Sequence, residues 1–136
     1  MNMSVSMGMT AELTMLLWSI LLYFVLIIVP ATLAIVENGL MAQGGARDNL
    51  PEPSVLLARL KRLASNMQEN MVLFAALVLL AHAAGVHSDY TVLGAQLFFW
   101  ARVAHAVIYI AGWPMVRPLA WFVGVIGMGM IAVAMF

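Results

Sequence analysis

Four long apolar runs alternate with short polar segments along the chain, and this pattern predicts four membrane-spanning helices. A helix crosses the hydrocarbon core of a bilayer with about 20 mostly apolar residues. The first and third runs reach that length unaided. The second reaches it only if its helix starts upstream, at a cap formed by Ser54, and carries polar side chains into the bundle. The predicted helices cover residues of about 11–37, 54–85, 89–112 and 117–136.

The segments between these runs have the composition of loops and turns. Residues 37–53 contain three glycines and two prolines together with Arg47 and Asp48, which predicts a loop. Two shorter connections rich in turn-forming residues, 85–89 and 112–118, predict tight turns.

The composition indicates that lipid is the solvent. Hydrophobic residues make up 65% of the 136 positions and charged residues 9%, whereas about a quarter of a soluble domain is charged. A small fold cannot hide that much apolar surface from water, so a soluble domain, a disordered chain and a nucleic-acid-binding protein are excluded. We therefore expect residues 1–136 to form one all-α integral membrane domain, a bundle of four transmembrane helices.

The content of cysteine, histidine and basic residues narrows the chemistry and the orientation. The chain has no cysteine, which excludes disulfides and cysteine nucleophiles. No His cluster has metal-ligand spacing, so no metal is expected. The methionine-rich start, Met1–Met9, lacks the basic region of a signal peptide and is expected to be a frayed end. Basic residues in or just after the first connection, and one in the third, place those loops in the cytoplasm and both termini outside it: Arg47, Arg59, Lys61, Arg62 and Arg117.

Polar side chains at membrane depth are the candidates for function. An Arg or Asp at a helix centre costs about 2.5–3.5 kcal/mol on insertion, so such residues are functional by default. On the second predicted helix, a stripe about 100° wide contains Arg59, Arg62, Asn66, Glu69 and Asn70. On the third, spacings of three and four align Arg102, His105 and Tyr109. The alternatives are snorkelling into headgroups for Arg59 and a purely structural role for His105 and Tyr109.

Depth along the two antiparallel helices links these sets. Seven residues of helix span about 10 Å, so Arg62 and Tyr109 lie near the cytoplasmic surface, and Glu69 and Arg102 lie about 10 Å deeper. We expect Glu69 and Arg102 to form a structural ion pair, because an unpaired buried charge is very costly. Arg117 lies at the mouth between the third and fourth helices, where the alternative is a loop charge that sets orientation.

Two motifs with this order and spacing resemble the signature of the MAPEG family, the membrane-associated proteins in eicosanoid and glutathione metabolism. The first is Arg62-Leu-Ala-Ser-Asn66-Met-Gln-Glu69-Asn70, followed by Leu73-Phe74. The second is Ala101-Arg102-Val103-Ala104-His105, with Tyr109 and then Arg117 after a short turn. The resemblance extends from Arg59 to Phe136, includes the first helix by hydropathy only, and is closest to the small bacterial members.

The resemblance implies a fold, an activity and site residues. It implies a homotrimer in a bacterial inner membrane, with glutathione as co-substrate bound between neighbouring subunits on the cytoplasmic side. The implied activity is a glutathione-dependent transferase or peroxidase that acts on lipophilic electrophiles. Arg117 would stabilise the thiolate and Tyr109 would assist it. The residues implied to bind glutathione are Arg47, Arg59, Arg62, Asn66, Glu69, His105 and Tyr109.

The chain also departs from the family pattern. Some family enzymes carry Arg at the cytoplasmic end of the first helix, where this chain has Glu37-Asn38-Gly39, so that Arg47 is the only substitute. The Tyr that can follow the motif Glu is Asn70, and Pro118 follows Arg117 in place of a hydroxyl partner.

These departures leave two alternatives open. One is a non-catalytic lipid-binding or scaffold protein with the same fold. The other is a small efflux transporter, which is disfavoured because Glu12 precedes the first helix and Glu37 follows it. The expected partners are further copies of the chain, membrane lipids and a lipophilic small molecule, with no nucleic acid.

Overall fold

The computed structural model describes residues 8–136, and that part of the chain is helical, with no strand. Four long helices and one short helix follow one another: α1 (Ala11–Asn38), α2 (Leu40–Gly44), α3 (Val55–Ala83), α4 (Asp89–Ala111) and α5 (Arg117–Val133). Residues 1–7 of the expected frayed end, Met1–Met9, lie outside the described part.

The long helices have the length and surface of membrane helices. α1, α3 and α4 are each long and apolar enough to cross a bilayer, and α5 is an apolar helix of 17 residues. Large apolar side chains cover the outside of the bundle, among them Trp18, Phe24, Leu73, Trp100 and Phe122. Because water would oppose such a surface, the chain is an integral membrane protein.

The helix ends explain where the chain turns. Ser54 caps α3 as expected, since its hydroxyl accepts a hydrogen bond from the Leu57 amide at 3.1 Å. Ser88 caps α4 and forms a reciprocal capping box with Thr91. The segment predicted as one loop differs from expectation, because it contains the short helix α2. Its Leu-Met-Ala-Gln residues favour a helix, and Gly39 starts α2 at a φ of 85°.

Close packing of α4 on α5 depends on two glycines. A Cβ on Gly94 would lie 2.6 Å from the Gly127 carbonyl oxygen, and a Cβ on Gly127 would lie 2.5 Å from the Gly94 carbonyl oxygen. Small residues let membrane helices approach to backbone contact in this way. One turn along α4 from Gly94, the rings of Phe98 and Phe74 stack at 3.8 Å between centroids and join α4 to α3.

A buried carboxylate ties the start of α1 to the start of α4. Glu12 lies in the first turn of α1 and Glu37 near its end. Both lie inside the predicted range of about 11–37, so the expectation that they precede and follow the helix is wrong and holds only for its apolar run. Glu12 is 5% exposed as a residue. Its carboxylate accepts a hydrogen bond from the Thr91 hydroxyl at 2.5 Å and lies 2.7 Å from His87 Nδ1. We call Glu12, His87 and Thr91 the Glu12 cluster.

Candidate functional site

A cavity of about 440 Å³ lies between α3, α4 and α5, at the end of the bundle opposite the Glu12 cluster. It contains six of the residues that sequence reasoning had singled out, and we call it the arginine cavity. Its wall consists of Arg62, Ser65, Asn66, Glu69, His105, Tyr109, Arg117, Pro118 and Trp121.

Two arginines converge on one tyrosine in this cavity. Arg62 Nε donates a hydrogen bond to the Tyr109 hydroxyl at 3.2 Å. The guanidinium of Arg117 lies over the Tyr109 ring, 5.0 Å from its centroid, which is within cation–π range. Tyr109 therefore holds two positive charges close together, one at its hydroxyl and one at its ring face.

The turn between α4 and α5 places Arg117 at the cavity. Gly112 ends α4 in the left-handed region, with φ 74°, and Met115 also has a positive φ of 67°. The chain thereby reverses in a few residues, and Arg117 becomes the first residue of α5. The amino end of a helix is positive, so α5 adds to the positive potential that the arginines create.

Arg59 lies in an adjoining cavity of about 360 Å³ that shares Arg62, Tyr109 and Arg117 with the first. Its Nη1 lies 3.5 Å from the Ile110 carbonyl oxygen. Gly112 is required for its φ of 74°, and a Cβ there would lie 2.7 Å from Arg59 Cζ, so a side chain at this position would displace the flexible guanidinium. Arg59 therefore extends the positive surface towards the turn.

Arg102 lies behind the cavity, and within the protomer its partners differ from the expected ones. Its side chain is 1% exposed. Nη2 donates to Asn66 Oδ1 at 2.8 Å, and Nε lies 3.2 Å from Met67 Sδ. Within residues 8–136 neither Glu69 nor Arg102 takes part in a salt bridge, so the expected Glu69–Arg102 pair is absent within the protomer. Matched depth does not fix the direction of a side chain, and Glu69 lies on the exposed side of α3.

Two buried nitrogens near the cavity have no partner among the described residues. They are Nη1 of Arg102 and Nδ1 of His105, whose side chain is 2% exposed. The His105 ring lies 5.6 Å from the Tyr109 ring between centroids. Buried polar groups are nearly always hydrogen-bonded, so such atoms next to a cavity indicate a polar occupant.

Arg47 is the predicted site residue that the structure places elsewhere in the protomer. It lies in a separate cavity of about 550 Å³ between α1, α2 and α3, where its Nε donates to the Gln43 carbonyl oxygen at 2.7 Å. Ser65 borders both cavities, so they adjoin at this residue of α3.

Sequence reasoning missed two residues of the arginine cavity, Ser65 and Trp121. Trp121 follows Arg117 by four positions, so helical spacing alone predicts that the two residues share a face of the helix. Ser65 precedes Asn66 in the first motif, but nothing in its chemistry distinguishes it there. No group of three or more His, Cys, Asp or Glu side chains is placed to hold a metal ion within residues 8–136.

A helical membrane bundle with a strongly cationic cavity at one end is the class of protein that the fold and site define. A family model described as MAPEG family matches residues 15–136, nearly the whole chain. The chain therefore belongs to the MAPEG family of membrane proteins, which includes glutathione transferases and peroxidases. Comparison with curated proteins and with solved structures gives no match.

Proposed function

We propose that the protein is a glutathione-dependent transferase or peroxidase that acts on lipophilic electrophiles, with glutathione bound in the arginine cavity. The observation that carries the proposal is the match of charges. Glutathione has two carboxylates, one ammonium and a thiol that reacts as an anion; Arg62, Arg117 and Glu69 line the cavity, and Arg59 lies in the adjoining cavity. The arginine cavity's volume of about 440 Å³ lies within the range of about 300–1,000 Å³ that is typical of small-molecule sites.

The proposed binding roles follow from the donors that remain available. Arg62 uses Nε for Tyr109, so its two Nη groups can grip one carboxylate bidentately. Glu69 pairs with the ammonium group, and Asn66 and His105 offer hydrogen bonds from the wall. Arg59 in the adjoining cavity attracts the second carboxylate.

The proposed catalytic role belongs to Arg117 and Tyr109. A free thiol has a pKa of about 8.5, and a neighbouring cation lowers it. Arg117 keeps its charge at every physiological pH. The Tyr109 hydroxyl accepts from Arg62, so its own hydrogen can be donated to the sulfur. The thiol gives its proton to solvent. The thiolate then attacks the electrophile: a bond from sulfur forms, and the electrons of the broken bond leave with the displaced group.

The exposed position of Glu69 supports assembly into a homotrimer. Glu69 is halfway along α3 and is exposed in the protomer. Lipid cannot solvate a carboxylate at that depth, so another copy of the chain covers it. In native mass spectrometry we expect a protein mass of about 44 kDa, three times 14.8 kDa, and a mass of one copy would contradict the assembly.

The thiolate itself provides the test of the activity. Purified protein in detergent, saturated with glutathione near pH 7, should show thiolate absorbance in the ultraviolet. Arg117→Gln should raise the thiol pKa of bound glutathione, because the charge that favours the anion is gone. Arg62→Gln should weaken binding and leave that pKa nearly unchanged. If the unmodified protein shows no thiolate signal, the catalytic assignment fails and the non-catalytic lipid-binding or scaffold function replaces it.

A further inference from the structure

His87, in the turn before α4, is held by a buried carboxylate although its own ring is largely exposed. Its side chain is 58% exposed, whereas that of Glu12 is 7% exposed. Nδ1 of His87 lies 2.7 and 2.9 Å from the two carboxylate oxygens of Glu12. Because an ionised carboxylate only accepts hydrogen bonds, Nδ1 carries the hydrogen. Nε2 therefore keeps its lone pair in the neutral imidazole.

This arrangement is typical of histidines that bind metal ions. A metal-ligating histidine usually donates its other ring N–H to a carboxylate, which fixes the ring and raises the basicity of the ligating nitrogen. The carboxylate is itself fixed here, because Glu12 accepts a hydrogen bond from the Thr91 hydroxyl at 2.5 Å. Within the described part of the chain, the hydrogen bonds of the His87 ring are those of Nδ1. Nε2 is therefore available to a ligand.

A second histidine borders the same cavity as His87. This cavity of about 170 Å³ lies where the start of α1, the end of α3 and the turn after α3 meet, and both His82 and His87 line it. His82 belongs to the last turn of α3, and it is exposed. Since a water molecule occupies about 30 Å³ in the liquid, the cavity has room for an ion together with several water ligands.

The cavity also contains a negative charge that a cation would offset. Glu12 lines it and is 5% exposed as a residue, and no Lys or Arg is among the described residues of its wall. A buried carboxylate is costly unless a positive charge is paired with it, and His87 supplies that charge only while its ring is doubly protonated. A metal ion on Nε2 supplies positive charge through the same ring without the second proton.

We propose that His82 and His87 bind a divalent transition-metal ion such as Zn²⁺ at the end of the bundle opposite the arginine cavity. Nε2 of His87 and a ring nitrogen of His82 are the ligands, water fills the remaining positions, and Glu12 orients His87 without binding the ion. Imidazole suits zinc, copper and nickel, whereas magnesium and calcium prefer oxygen ligands. The ion joins the end of α3 to the turn before α4 and thereby stabilises the fold.

The proposed site differs from the expectation that the chain holds no metal. That expectation rested on the spacing of histidines in the sequence, which shows neither the cavity nor the carboxylate behind His87. A site of two histidines and water is compatible with the absence, within residues 8–136, of any group of three or more His, Cys, Asp or Glu side chains placed to hold a metal. It does not depend on glutathione, since it lies at the other end of the bundle.

Calorimetry and thermal unfolding of the purified protein in detergent, with an affinity tag that contains no histidine, test this assignment. ZnCl₂ should bind and raise the unfolding temperature, because a ligand that binds only the folded state stabilises it, and MgCl₂ should do neither. His82→Gln and His87→Gln should each abolish the rise that zinc causes. Asp89→Asn removes a neighbouring negative charge that does not line the cavity, so it should leave zinc binding unchanged.

Glu12→Gln tests the role of the carboxylate behind His87. It keeps an acceptor for the Thr91 hydroxyl but removes the charge, and loss of such an outer partner weakens metal binding about 10- to 100-fold. Histidine ¹⁵N resonances of the unmodified protein give a readout that does not depend on the folding of variants, since zinc should shift those of His82 and His87 and leave that of His105 unchanged. Zinc affinity that is unchanged in Glu12→Gln, zinc binding that survives in both histidine variants, or an equal loss in Asp89→Asn would each overturn the proposal.

Discussion

Both ends of the bundle contain buried polar groups. At one end these groups are hydrogen-bonded to one another, and at the other end some of them have no partner. In the Glu12 cluster, the carboxylate of Glu12 accepts from Thr91 and pairs with His87, and the adjoining cavity is small, about 170 Å³. At the arginine end, the cavity is about 440 Å³, and nitrogens of Arg102 and His105 have no partner among the described residues.

The difference separates structural from functional polarity in a membrane bundle. A polar group that is paired by its neighbours lowers the free energy of the fold by joining helices. A polar group left unpaired beside a cavity raises the free energy of the fold, unless a ligand or another chain supplies the partner. Residue type alone does not distinguish the two cases, because both ends have a charged residue, a histidine and a hydroxyl group.

The largest expected contrast between the two ends is the side of the membrane that each faces. Because the chain has no cysteine, Ser4→Cys and Asn49→Cys each introduce a single reporter, the first near the N-terminus and the second in the loop before α3. We expect an impermeant maleimide to label Ser4→Cys in intact cells and Asn49→Cys only after lysis. The reverse pattern would show that the arginine end faces away from the cytoplasm.

The next effect concerns stability at the Glu12 cluster. Glu12→Leu removes the acceptor for Thr91 and His87, and hydrogen bonds to charged groups contribute about 1.5–3 kcal/mol each. We expect the free energy of unfolding in detergent to fall by about 3 kcal/mol, with glutathione affinity unchanged. Asp89→Asn, an exposed acidic residue in the first turn of α4, is the matched control and should cost less than about 1 kcal/mol. A loss of glutathione affinity in Glu12→Leu would mean that the two ends are not independent.

A smaller effect tests which residue pairs with Arg102. A double-mutant cycle of Asn66→Leu and Arg102→Met should give a coupling energy of about 1–2 kcal/mol, because the two side chains hydrogen-bond at 2.8 Å. The cycle of Glu69→Gln with Arg102→Met should give less than about 0.5 kcal/mol. A large coupling between Glu69 and Arg102 would show that they meet across subunits of the assembled protein.

Helical spacing was enough to identify most of the arginine cavity. Residues three, four and seven apart on α3 share a face, so Arg62, Asn66 and Glu69 were selected together without any knowledge of the packing. Tyr109 and His105 followed from the same rule on α4. Depth counted from the membrane surface then placed these sets at one end of the bundle.

The partners of individual side chains could not be predicted in the same way. Spacing gives the height of Arg102 but not the rotation of α3 against α4, and that rotation selects Asn66 instead of Glu69. The backbone contact between Gly94 and Gly127 depends on the distance between two helices, which no single helix encodes. The buried position of Glu12 required knowing that His87 and Thr91, 75 and 79 residues away, begin the neighbouring helix.

The smallest expected effect concerns Tyr109, which contacts both Arg62 and Arg117 in the arginine cavity. Tyr109→Phe removes the hydroxyl that accepts from Arg62 and keeps the ring beneath Arg117. One lost hydrogen bond costs about 0.5–1.5 kcal/mol, so we expect glutathione affinity, measured by calorimetry, to fall about two- to tenfold.

Tyr109→Leu also removes the ring, and an exposed cation–π contact contributes about 0.5–1 kcal/mol. Its affinity should therefore be a further two- to fivefold lower. Equal affinities for Phe and Leu would show that the ring does not hold Arg117, and an unchanged affinity in Tyr109→Phe would show that Arg62 does not need the hydroxyl to be positioned. The ordering of unmodified protein, Phe and Leu thus distinguishes a tyrosine that orients both arginines from one that merely lies between them.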